Sequence, residues 1–258
     1  MTKVKKSQVI GGKGGQREAT EAALPAEKPI TIFLNDEQLV TVMATPDKLR
    51  ELAVGFLYAE GILKDIGDLK QTTVDQKKGI VWVETKKKTL LGKLFHKRFL
   101  TSGCGRGFTF TSLSDVKTVK IESKLQVSKD TILNLMKDML GRAELYRQSG
   151  GIHCSALCDK DGILSFSEDI GRHNTFDKIF GECFLNQIQT EDKMMFSTGR
   201  ISSEMLLKAA RAKIPVVVSR SSPTDLSVEI GEKLGVTIIG YVRAGKMRIY
   251  SHPERILL

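Results

Sequence analysis

The sequence has no apolar run long enough to cross a bilayer, and its start lacks the apolar core of a secretory signal. It has few cysteines, namely Cys104, Cys154, Cys158 and Cys183, and no Cys-x-x-Cys pair. These absences favour a cytoplasmic protein with free thiols over a membrane protein or a disulfide-rich secreted one. The hydrophobic share of 41% is ordinary, so the 258 residues suffice for one large domain or two unequal ones.

Sequence motifs typical of serine hydrolases and of zinc sites are missing as well. No nucleophile elbow of a serine hydrolase occurs. A zinc site built on His153, Cys154 and Cys158 is disfavoured, because residues 152–158 are predicted to form an apolar helix with no Cys-x-x-Cys pair to complete tetrahedral coordination. These two cysteines and Cys183 are therefore predicted to be small core residues, and no bound zinc is expected.

Positive charge is concentrated in one stretch. The net charge is +10, and residues 77–106 hold nine lysines or arginines but one acid, Glu84, so the rest of the chain is nearly balanced. Such an excess attracts an anionic partner, which could be nucleic acid, a phosphate-bearing cofactor or an acidic protein face. The alternative is a solvated loop that only aids solubility.

The basic stretch leads directly into Cys104, within the sequence Thr-Ser-Gly-Cys-Gly-Arg-Gly of residues 101–107. The glycines leave the thiol uncrowded. The nearby Lys97, Arg98 and Arg106 favour the thiolate, which is the form that attacks electrophiles and carries sulfur. Cys104 is therefore the candidate nucleophile. The alternative is a tight glycine turn that holds a small residue.

The pattern along the chain predicts an arm and a small first part. Residues 1–26 are basic, rich in glycine and almost without aromatic residues, which is typical of a disordered arm. The next section predicts a hairpin about Asn35-Asp36, a helix opened by Pro46 and a strand at 80–83. Residues 128–146 follow as a helix that is N-capped by its first residue.

Beyond residue 150, short β-branched strands alternate with helices. This alternation predicts a largely parallel sheet that is covered on both faces. Ligands of such sheets usually bind at the loops that follow the strands. The predicted strands are 163–166, 194–197, 216–218, 236–241 and 247–250, and the predicted helices are 174–185, 202–212 and 226–234.

Two of these loops carry groups that can hold an anion at a helix start. Residues 168–174 place Arg172 and His173 beside helix N–H groups, and residues 197–204 combine Arg200 with hydroxyls and a glycine. Structural readings remain open for both. The carboxylates of the first loop could instead cap the helix and pair with its arginine, and serines at helix starts are common as simple caps.

A third loop, residues 240–246, follows the predicted strand 236–241. Tyr241, Arg243 and Lys246 surround a glycine there, so this loop could stack on a base and hold its phosphate. The alternative is an ordinary hairpin turn with exposed charges. Three such loops on one sheet are stronger evidence for a site than any one of them.

Taken in order, these segments resemble the FdhD family over residues 28–256. Many short matches in the correct order make the resemblance specific. They are Thr45-Pro46, Ala53–Leu57, Glu60-Gly61, Gly103-Cys104-Gly105, Gly150–His153, Glu168–Asn174, Asp177-Lys178, Gly199-Arg200, Pro223-Thr224 and Gly240–Arg243.

The resemblance implies a two-part α/β protein behind the arm. Residues 27–127 would form a small α+β part that ends in the Cys104 loop. Residues 128–258 would form a cytidine-deaminase-like sheet with helices on both faces. The zinc ligands of true deaminases are absent from this sequence, so kinship of fold does not carry deamination with it.

The resemblance further implies a sulfurtransferase needed for formate dehydrogenase activity. Cys104 would accept a persulfide sulfur from a cysteine desulfurase and pass it to a bis(molybdopterin guanine dinucleotide) cofactor of molybdenum or tungsten. The family also suggests a homodimer. Neither nucleic acid nor a membrane is expected as a partner, since the sequence has no nucleic-acid motif and no apolar run of membrane length. The residues implied to contact the cofactor are Tyr241, Val242, Arg243, Ala244, Gly245 and Lys246, with Arg172, His173 and Arg200 as further contributors.

One position departs from the family pattern. A second cysteine often follows in Cys-Gly-x-Cys-Gly, and Gly107 stands in its place here. A local dithiol is therefore excluded, but one thiolate suffices to receive a sulfur atom, with an outside thiol for reductive release. Two rival functions are a cofactor chaperone without sulfur transfer and a nucleic-acid binder that uses residues 77–106. The second is disfavoured because no nucleic-acid motif occurs.

Overall fold

The structure is a computed structural model that describes residues 2–13, 16–86, 99–100, 108–109 and 120–258. Side chains are described in the same ranges except at positions 12, 13, 16, 99, 100, 108 and 109. Cys104 and part of the basic stretch before it therefore lie outside the described residues.

Sixteen strands and six α-helices occur in the described ranges. The strands are β1 (Val4–Lys13), β2 (Gln16–Pro25), β3 (Lys28–Leu34), β4 (Glu37–Ala44), β5 (Leu69–Asp75), β6 (Ile80–Thr85), β7 (Phe99–Leu100), β8 (Phe108–Thr109), β9 (Val127–Ser128), β10 (His153–Cys158), β11 (Ile163–Asp169), β12 (Met194–Ser197), β13 (Val216–Ser219), β14 (Thr237–Arg243), β15 (Lys246–Ser251) and β16 (Ile256–Leu257). The helices are α1 (Leu49–Ala59), α2 (Lys129–Arg142), α3 (Glu144–Ser149), α4 (Arg172–Asn186), α5 (Ser203–Arg211) and α6 (Asp225–Leu234).

The first layer is a four-stranded sheet in the order β4-β3-β6-β5, with α1 packed on one face. Ile30, Ile32 and Leu34 of β3 are buried and the residues between them are partly exposed, because successive side chains of a strand point to opposite faces. Asn35 and Asp36 have φ of 48° and 70°, the left-handed values that a tight hairpin turn requires. The predicted hairpin, helix and strand of this part are confirmed.

The N-terminal segment forms a hairpin where the sequence predicts a disordered arm. β1 and β2 pair antiparallel along their whole length. β2 packs against α3, and Lys3 Nζ lies 2.6 Å from Asp47 Oδ2 at the base of the hairpin. The prediction of disorder for residues 1–26 is therefore wrong for these two strands. Main-chain hydrogen bonds between the strands and packing against α3 stabilise them, and neither can be read from amino-acid composition.

The second layer is a six-stranded sheet in the order β11-β10-β12-β13-β14-β15. Only the β12–β13 and β13–β14 pairings are parallel, so the expected largely parallel sheet is wrong. Part of the difference is β10, because residues 152–158 were expected to be a helix. Residues 154–158 are all buried, and a short run that is buried on both faces has no hydrophobic period that separates a strand from a helix.

Helices cover both faces of this sheet, as expected. α4, α5 and α6 bury one face, which carries Leu157, Met195 and Val217, and α2 buries the opposite face, which carries Ala156 and Phe196. The mixed α/β class is confirmed, whereas the closer likeness to cytidine deaminases and the boundaries at 27 and 128 stay predictions. No helix in the described ranges is long and apolar enough to cross a membrane.

The predicted helix over 128–146 divides into α2 and α3 at Ala143. Ser128 accepts a hydrogen bond from Thr131 N and is the N-cap of α2, as expected. Ala143 leaves the helical conformation and Glu144 begins α3, which extends to Ser149.

The two layers meet where α1 crosses α4 at a pair of glycines. A Cβ built on Gly55 would lie 1.7 Å from Asp177 O, and one built on Gly181 would lie 1.9 Å from Glu51 O. Only hydrogen fits at either position, so the main chains of the two helices touch. This contact sets how the first layer sits on the second.

Substitution of Gly55 by alanine tests this crossing. We expect Gly55→Ala to lower the free energy of unfolding by about 3 kcal/mol, because an added methyl group forces packed elements apart. Gly141→Ala in α2 is the matched control, since nothing lies within 4 Å of its Cβ position. That change should leave stability equal or raise it by up to about 1 kcal/mol. Urea unfolding of both variants checks this, and equal stabilities would contradict the close crossing.

Candidate functional site

The carboxyl ends of β11, β12, β13 and β14 lie at one edge of the six-stranded sheet. β12, β13 and β14 are parallel neighbours, and β11 runs in the same direction because β10 lies antiparallel between it and β12. The loops after these strands therefore share that edge, where ligands of α/β sheets usually bind. All three loops singled out from the sequence lie here.

Hydrogen bonds join the neighbouring loops beyond the ends of the strands. Ser219 Oγ donates to Gly199 O at 2.6 Å, which ties the end of β13 to the loop after β12. Tyr241 N donates to Ser221 O at 2.9 Å, which ties the end region of β14 to the loop after β13. These hydrogen bonds fix the positions of the loops at this edge relative to one another.

The turn between β14 and β15 has an unusual backbone. Tyr241 and Ala244 have φ of 54° and 50°, which residues other than glycine rarely adopt, and the strand pairing shifts register between Gly240 and Arg243. Such backbone strain costs about 1–3 kcal/mol per residue and persists only where the surrounding structure enforces it. Strained residues of this kind are concentrated at active sites and ligand sites. Here Tyr241 borders an open cavity, whereas Val242 is only 1% exposed.

This cavity, which we call the cationic cavity, has a volume of about 930 Å³. The guanidinium carbons of Arg248 and Arg243 lie 4.8 and 5.4 Å from the centre of the Tyr241 ring. None of the described residues that line it is an aspartate or glutamate, so its field attracts an anion. Its cations are Lys129, Arg220, Arg243, Lys246 and Arg248.

Most of the predicted cofactor-binding turn lines the cationic cavity. Tyr241 and residues 243–246 border it directly. Val242 does not, because its side chain packs in the hydrophobic core between the sheet and α2, and the residue borders only a smaller cavity of about 380 Å³. Its side chain therefore fixes the turn in place.

Arg172, His173 and Arg200 lie at the same edge but line neither cavity. Arg172 and His173 begin α4, and His173 Nε2 lies 3.5 Å from Glu204 Oε2 on α5. Burial, together with the charges of Lys208 and Arg172, lowers the pKa of His173 to about 3, so this imidazole is neutral at pH 7. Arg200 is exposed on its loop.

Asp169 at the end of β11 joins the two layers. Its Oδ2 lies 2.6 Å from Lys178 Nζ and accepts a hydrogen bond from Thr45 N at 3.0 Å, while Oδ1 accepts one from Asn174 Nδ2 at 2.7 Å. Both members of the ion pair are 0% exposed. This carboxylate therefore has a structural role, with Lys178 as its ion-pair partner.

Two more carboxylates near this edge have structural partners. Glu168 accepts hydrogen bonds from Leu145 N and Tyr146 N, which satisfies donors at the start of α3. Asp177 lies 2.6 and 2.7 Å from Lys208 Nζ through its two oxygens, so α4 and α5 are joined by a second buried pair. Burial raises the pKa of Asp177 to about 6, against the lowering effect of Lys208.

A third cavity, of about 870 Å³, lies at the opposite edge of the sheet. It is bordered by the ends of α1 and α4 and by residues that precede β12 and β13. Its charges balance, unlike those of the cationic cavity. The acids are Glu60, Asp65 and Glu191, and the cations are Lys64, Arg211 and Lys213.

Comparison with known proteins identifies the family. Residues 25–257 match the model of the FdhD/NarQ family. The chain belongs to the FdhD/NarQ family. The sulfur carrier protein FdhD of Bacillus subtilis (strain 168) is 41% identical over 244 residues, which cover 94% of this chain and 93% of that protein. The protein of the same name from Bacillus pumilus (strain SAFR-032) is 39% identical over 256 residues, or 98% of each chain.

A solved structure shares the fold of this FdhD/NarQ protein. It is a crystal structure from Desulfotalea psychrophila, of a protein assigned as a formate dehydrogenase accessory protein. The TM-score is 0.83 at 24% sequence identity, and the match covers 99% of this chain and 100% of that one. This likeness shows the fold.

Three cations of the cavity were not singled out in the sequence of this FdhD/NarQ protein. Arg220 had a usable signal, because it follows a buried strand and stands between Ser219 and Ser221, much as hydroxyl residues accompany Arg200 in the loop of residues 197–204. Lys129 and Arg248 had none, since they come from the start of α2 and from β15. Only the fold brings these residues together.

The four cysteines differ in what the structure describes. Cys104 lies outside the described residues, between β7 and β8, whose main chains pair antiparallel. Cys154, Cys158 and Cys183 are buried, as predicted, and burial raises the pKa of each thiol to about 12. A buried, protonated thiol is a poor nucleophile, so these three do not suit sulfur transfer.

Alkylation under native conditions tests this division. We expect iodoacetamide at pH 8 to modify Cys104 rapidly, because the neighbouring cations favour its thiolate. The three buried thiols should not react, because they remain protonated and shielded. Mass spectrometry of the intact protein should show one adduct before unfolding and four in urea. Rapid modification of Cys154, Cys158 or Cys183 in the folded protein would contradict the structure.

Proposed function

We propose that this protein is a sulfur carrier that accepts a persulfide sulfur on Cys104 and delivers it to an anionic cofactor needed by formate dehydrogenase. The relatives at 41% and 39% identity carry the name sulfur carrier protein. The observation that carries the proposal further is the cationic cavity, with five cationic side chains and no aspartate or glutamate among its described lining residues. It supplies a place for a polyanionic substrate.

Loading of the carrier is a thiolate exchange. The Cys104 thiolate attacks the terminal sulfur of a persulfide on a cysteine desulfurase. A new S–S bond forms on Cys104, the S–S bond of the donor breaks, and the donor cysteine leaves as a thiolate. The neighbouring Lys97, Arg98 and Arg106 favour the attacking form of Cys104.

Release of the sulfur requires two electrons. Gly107 stands where a second cysteine would supply them, so an outside thiol takes this role. Its thiolate attacks the inner sulfur of the Cys104 persulfide, sulfide leaves, and a mixed disulfide with Cys104 remains for a second thiol to reduce. The protein is thus a sulfurtransferase whose resting state depends on an external reductant.

The proposed substrate is a bis(molybdopterin guanine dinucleotide) cofactor of molybdenum or tungsten. Its pyrophosphate groups match the charge of the cationic cavity, where Arg220, Arg243 and Arg248 can donate paired hydrogen bonds to phosphate oxygens. Arg172, His173 and Arg200 remain predicted contributors from the same edge of the sheet. The proposal places the protein in the cytoplasm as a homodimer that meets both a desulfurase and formate dehydrogenase.

The decisive test is transfer of labelled sulfur. With a desulfurase and ³⁵S-cysteine, the native protein should gain label on Cys104 that thiols release, and Cys104→Ala should gain none. Cys158→Ala is the matched control, because its thiol is buried in the core. We expect it to retain label and to support formate dehydrogenase activity. A Cys104→Ala variant that still matures the enzyme would instead indicate a cofactor chaperone without sulfur transfer.

Charge in the cavity can be tested apart from sulfur transfer. We expect Arg248→Gln to weaken binding of GDP by about tenfold, because one charge-assisted contact to phosphate is lost. The dependence of the dissociation constant on salt should also become less steep. Arg50→Gln, at an exposed position of α1, is the control and should change neither quantity. Equal GDP affinity in both variants, measured by calorimetry, would contradict the assigned cavity.

A further inference from the structure

The third cavity, which we call the charge-balanced cavity, lies where the two layers of the protein meet. Its walls come from the end of α1 in the first layer and from the ends of α4 and α5 in the second. Its volume of about 870 Å³ is within the usual range for small-molecule sites, which occur preferentially where structural units meet. Because it is at the opposite edge of the sheet from the cationic cavity, a ligand bound here is separate from the proposed cofactor.

Apolar side chains form one wall of the charge-balanced cavity. The rings of Tyr58 and Phe184 pack with their centres 5.4 Å apart. Ile66 is 37% exposed and Ile188 is partly exposed, so part of this apolar surface is in contact with water. Covering such surface with an apolar group of a ligand is favourable.

An ion pair lies at the same cavity. Lys213 Nζ donates to Glu191 Oε1 at 3.2 Å, and Thr190 N donates to the other carboxylate oxygen at 3.3 Å. The side chains of Lys213 and Glu191 are 60% and 49% exposed. An ion pair that is this exposed is weak, so its members can exchange each other for the charges of a ligand.

Arg211 brings a second cation to the cavity, at the end of α1. Its Nη1 donates to Ala59 O at 3.0 Å, and a Cβ built on Gly61 would lie 2.5 Å from the same nitrogen. The guanidinium is therefore held against the main chain, where its charge complements the carbonyl end of the helix dipole. A planar guanidinium has several N–H donors, so it can bind a carboxylate while it caps a helix.

The Tyr58 ring lies close to charges of both signs. Burial raises the pKa of its phenol, Glu191 and Cys183 raise this pKa further, and Arg211 lowers it. An ammonium group at Glu191 is therefore close to the face of an aromatic ring, which attracts cations.

We propose that the charge-balanced cavity binds a free α-amino acid with a large apolar side chain. The ammonium group lies at Glu191, the carboxylate at Arg211, and the side chain against the wall of Tyr58 and Ile188. A polyanion is disfavoured, because three acids offset the three cations of the described lining, whereas a ligand that carries both signs matches it. This site goes beyond the proposed function, because it involves neither Cys104 nor the cationic cavity.

Four related probes test each part of this ligand by calorimetry on the full chain. Phenylalanine has all three groups, 3-phenylpropionate lacks the ammonium group, phenethylamine lacks the carboxylate, and alanine lacks the large side chain. Phenylalanine should bind at least about tenfold more tightly than each of the other three, because each of them loses one charge-assisted contact or the buried ring. Its affinity should be the same with and without GDP. Equal affinities for all four probes, or no binding of phenylalanine, would overturn the proposal.

Two variants locate the binding site. Glu191→Gln, at an exposed position, should lower phenylalanine affinity by about tenfold while the affinity for 3-phenylpropionate stays within about twofold. Glu229→Gln, at an exposed position of α6, is the matched control and should change neither affinity. Arg211→Gln should lower phenylalanine affinity to that of phenethylamine, and its melting temperature reports whether the fold persists.

Unchanged phenylalanine affinity in Glu191→Gln, or in a folded Arg211→Gln variant, would contradict the assigned site. Transfer of labelled sulfur to Cys104 and binding of GDP should be unaffected by Glu191→Gln. Failure of the amino-acid site therefore leaves the proposed function standing, and failure of sulfur transfer leaves the amino-acid site standing.

Discussion

The buried ion pair between Asp169 and Lys178 is the interaction on which the rest of the structure depends. Asp169 is the last residue of β11, and Lys178 lies on α4. Both also contact Thr45 of the first layer, since Thr45 N donates to Asp169 and Lys178 donates to Thr45 O. Removal of one partner from a buried pair costs about 3–5 kcal/mol, because the other charge is left uncompensated. The pair therefore holds the two layers in one arrangement. The close contact of α1 and α4 at Gly55 and Gly181 prevents the two layers from sliding past each other.

With the layers held in this way, the edge of the six-stranded sheet becomes a fixed surface. Ser219 and Ser221 tie three successive loops to one another, and the strained Tyr241 is kept in a conformation that an isolated turn would not adopt. Cations from α2, β14, β15 and the loop after β13 then meet around one cavity. Because no aspartate or glutamate side chain among the described lining residues offsets them, their charge remains available to a ligand. This preorganisation lowers the cost of binding a flexible polyanion.

Some of this structure could be read from the sequence and some could not. Asn35-Asp36 between alternating strands predicted a hairpin correctly, because those two residues tolerate the left-handed turn that their φ values show. Residues 153–158 form a strand where the sequence predicts a helix, because a short segment that is buried on both faces shows neither the period of a strand nor that of a helix. The turn at 240–246 was found because tyrosine, arginine and lysine cluster in the sequence. That Lys129 and Arg248 line the same cavity could not be predicted, because only tertiary structure brings them to that turn.

The proposed role of the sheet edge with Tyr241 and Arg248 is to bind the phosphate groups of an anionic nucleotide. A crystal structure of the full chain with GDP measures this most directly. We expect phosphate oxygens within hydrogen-bond distance of Arg220 and Arg248, at the cationic cavity. Nucleotide density in the charge-balanced cavity at the opposite edge, beside Glu60 and Lys213, would contradict it.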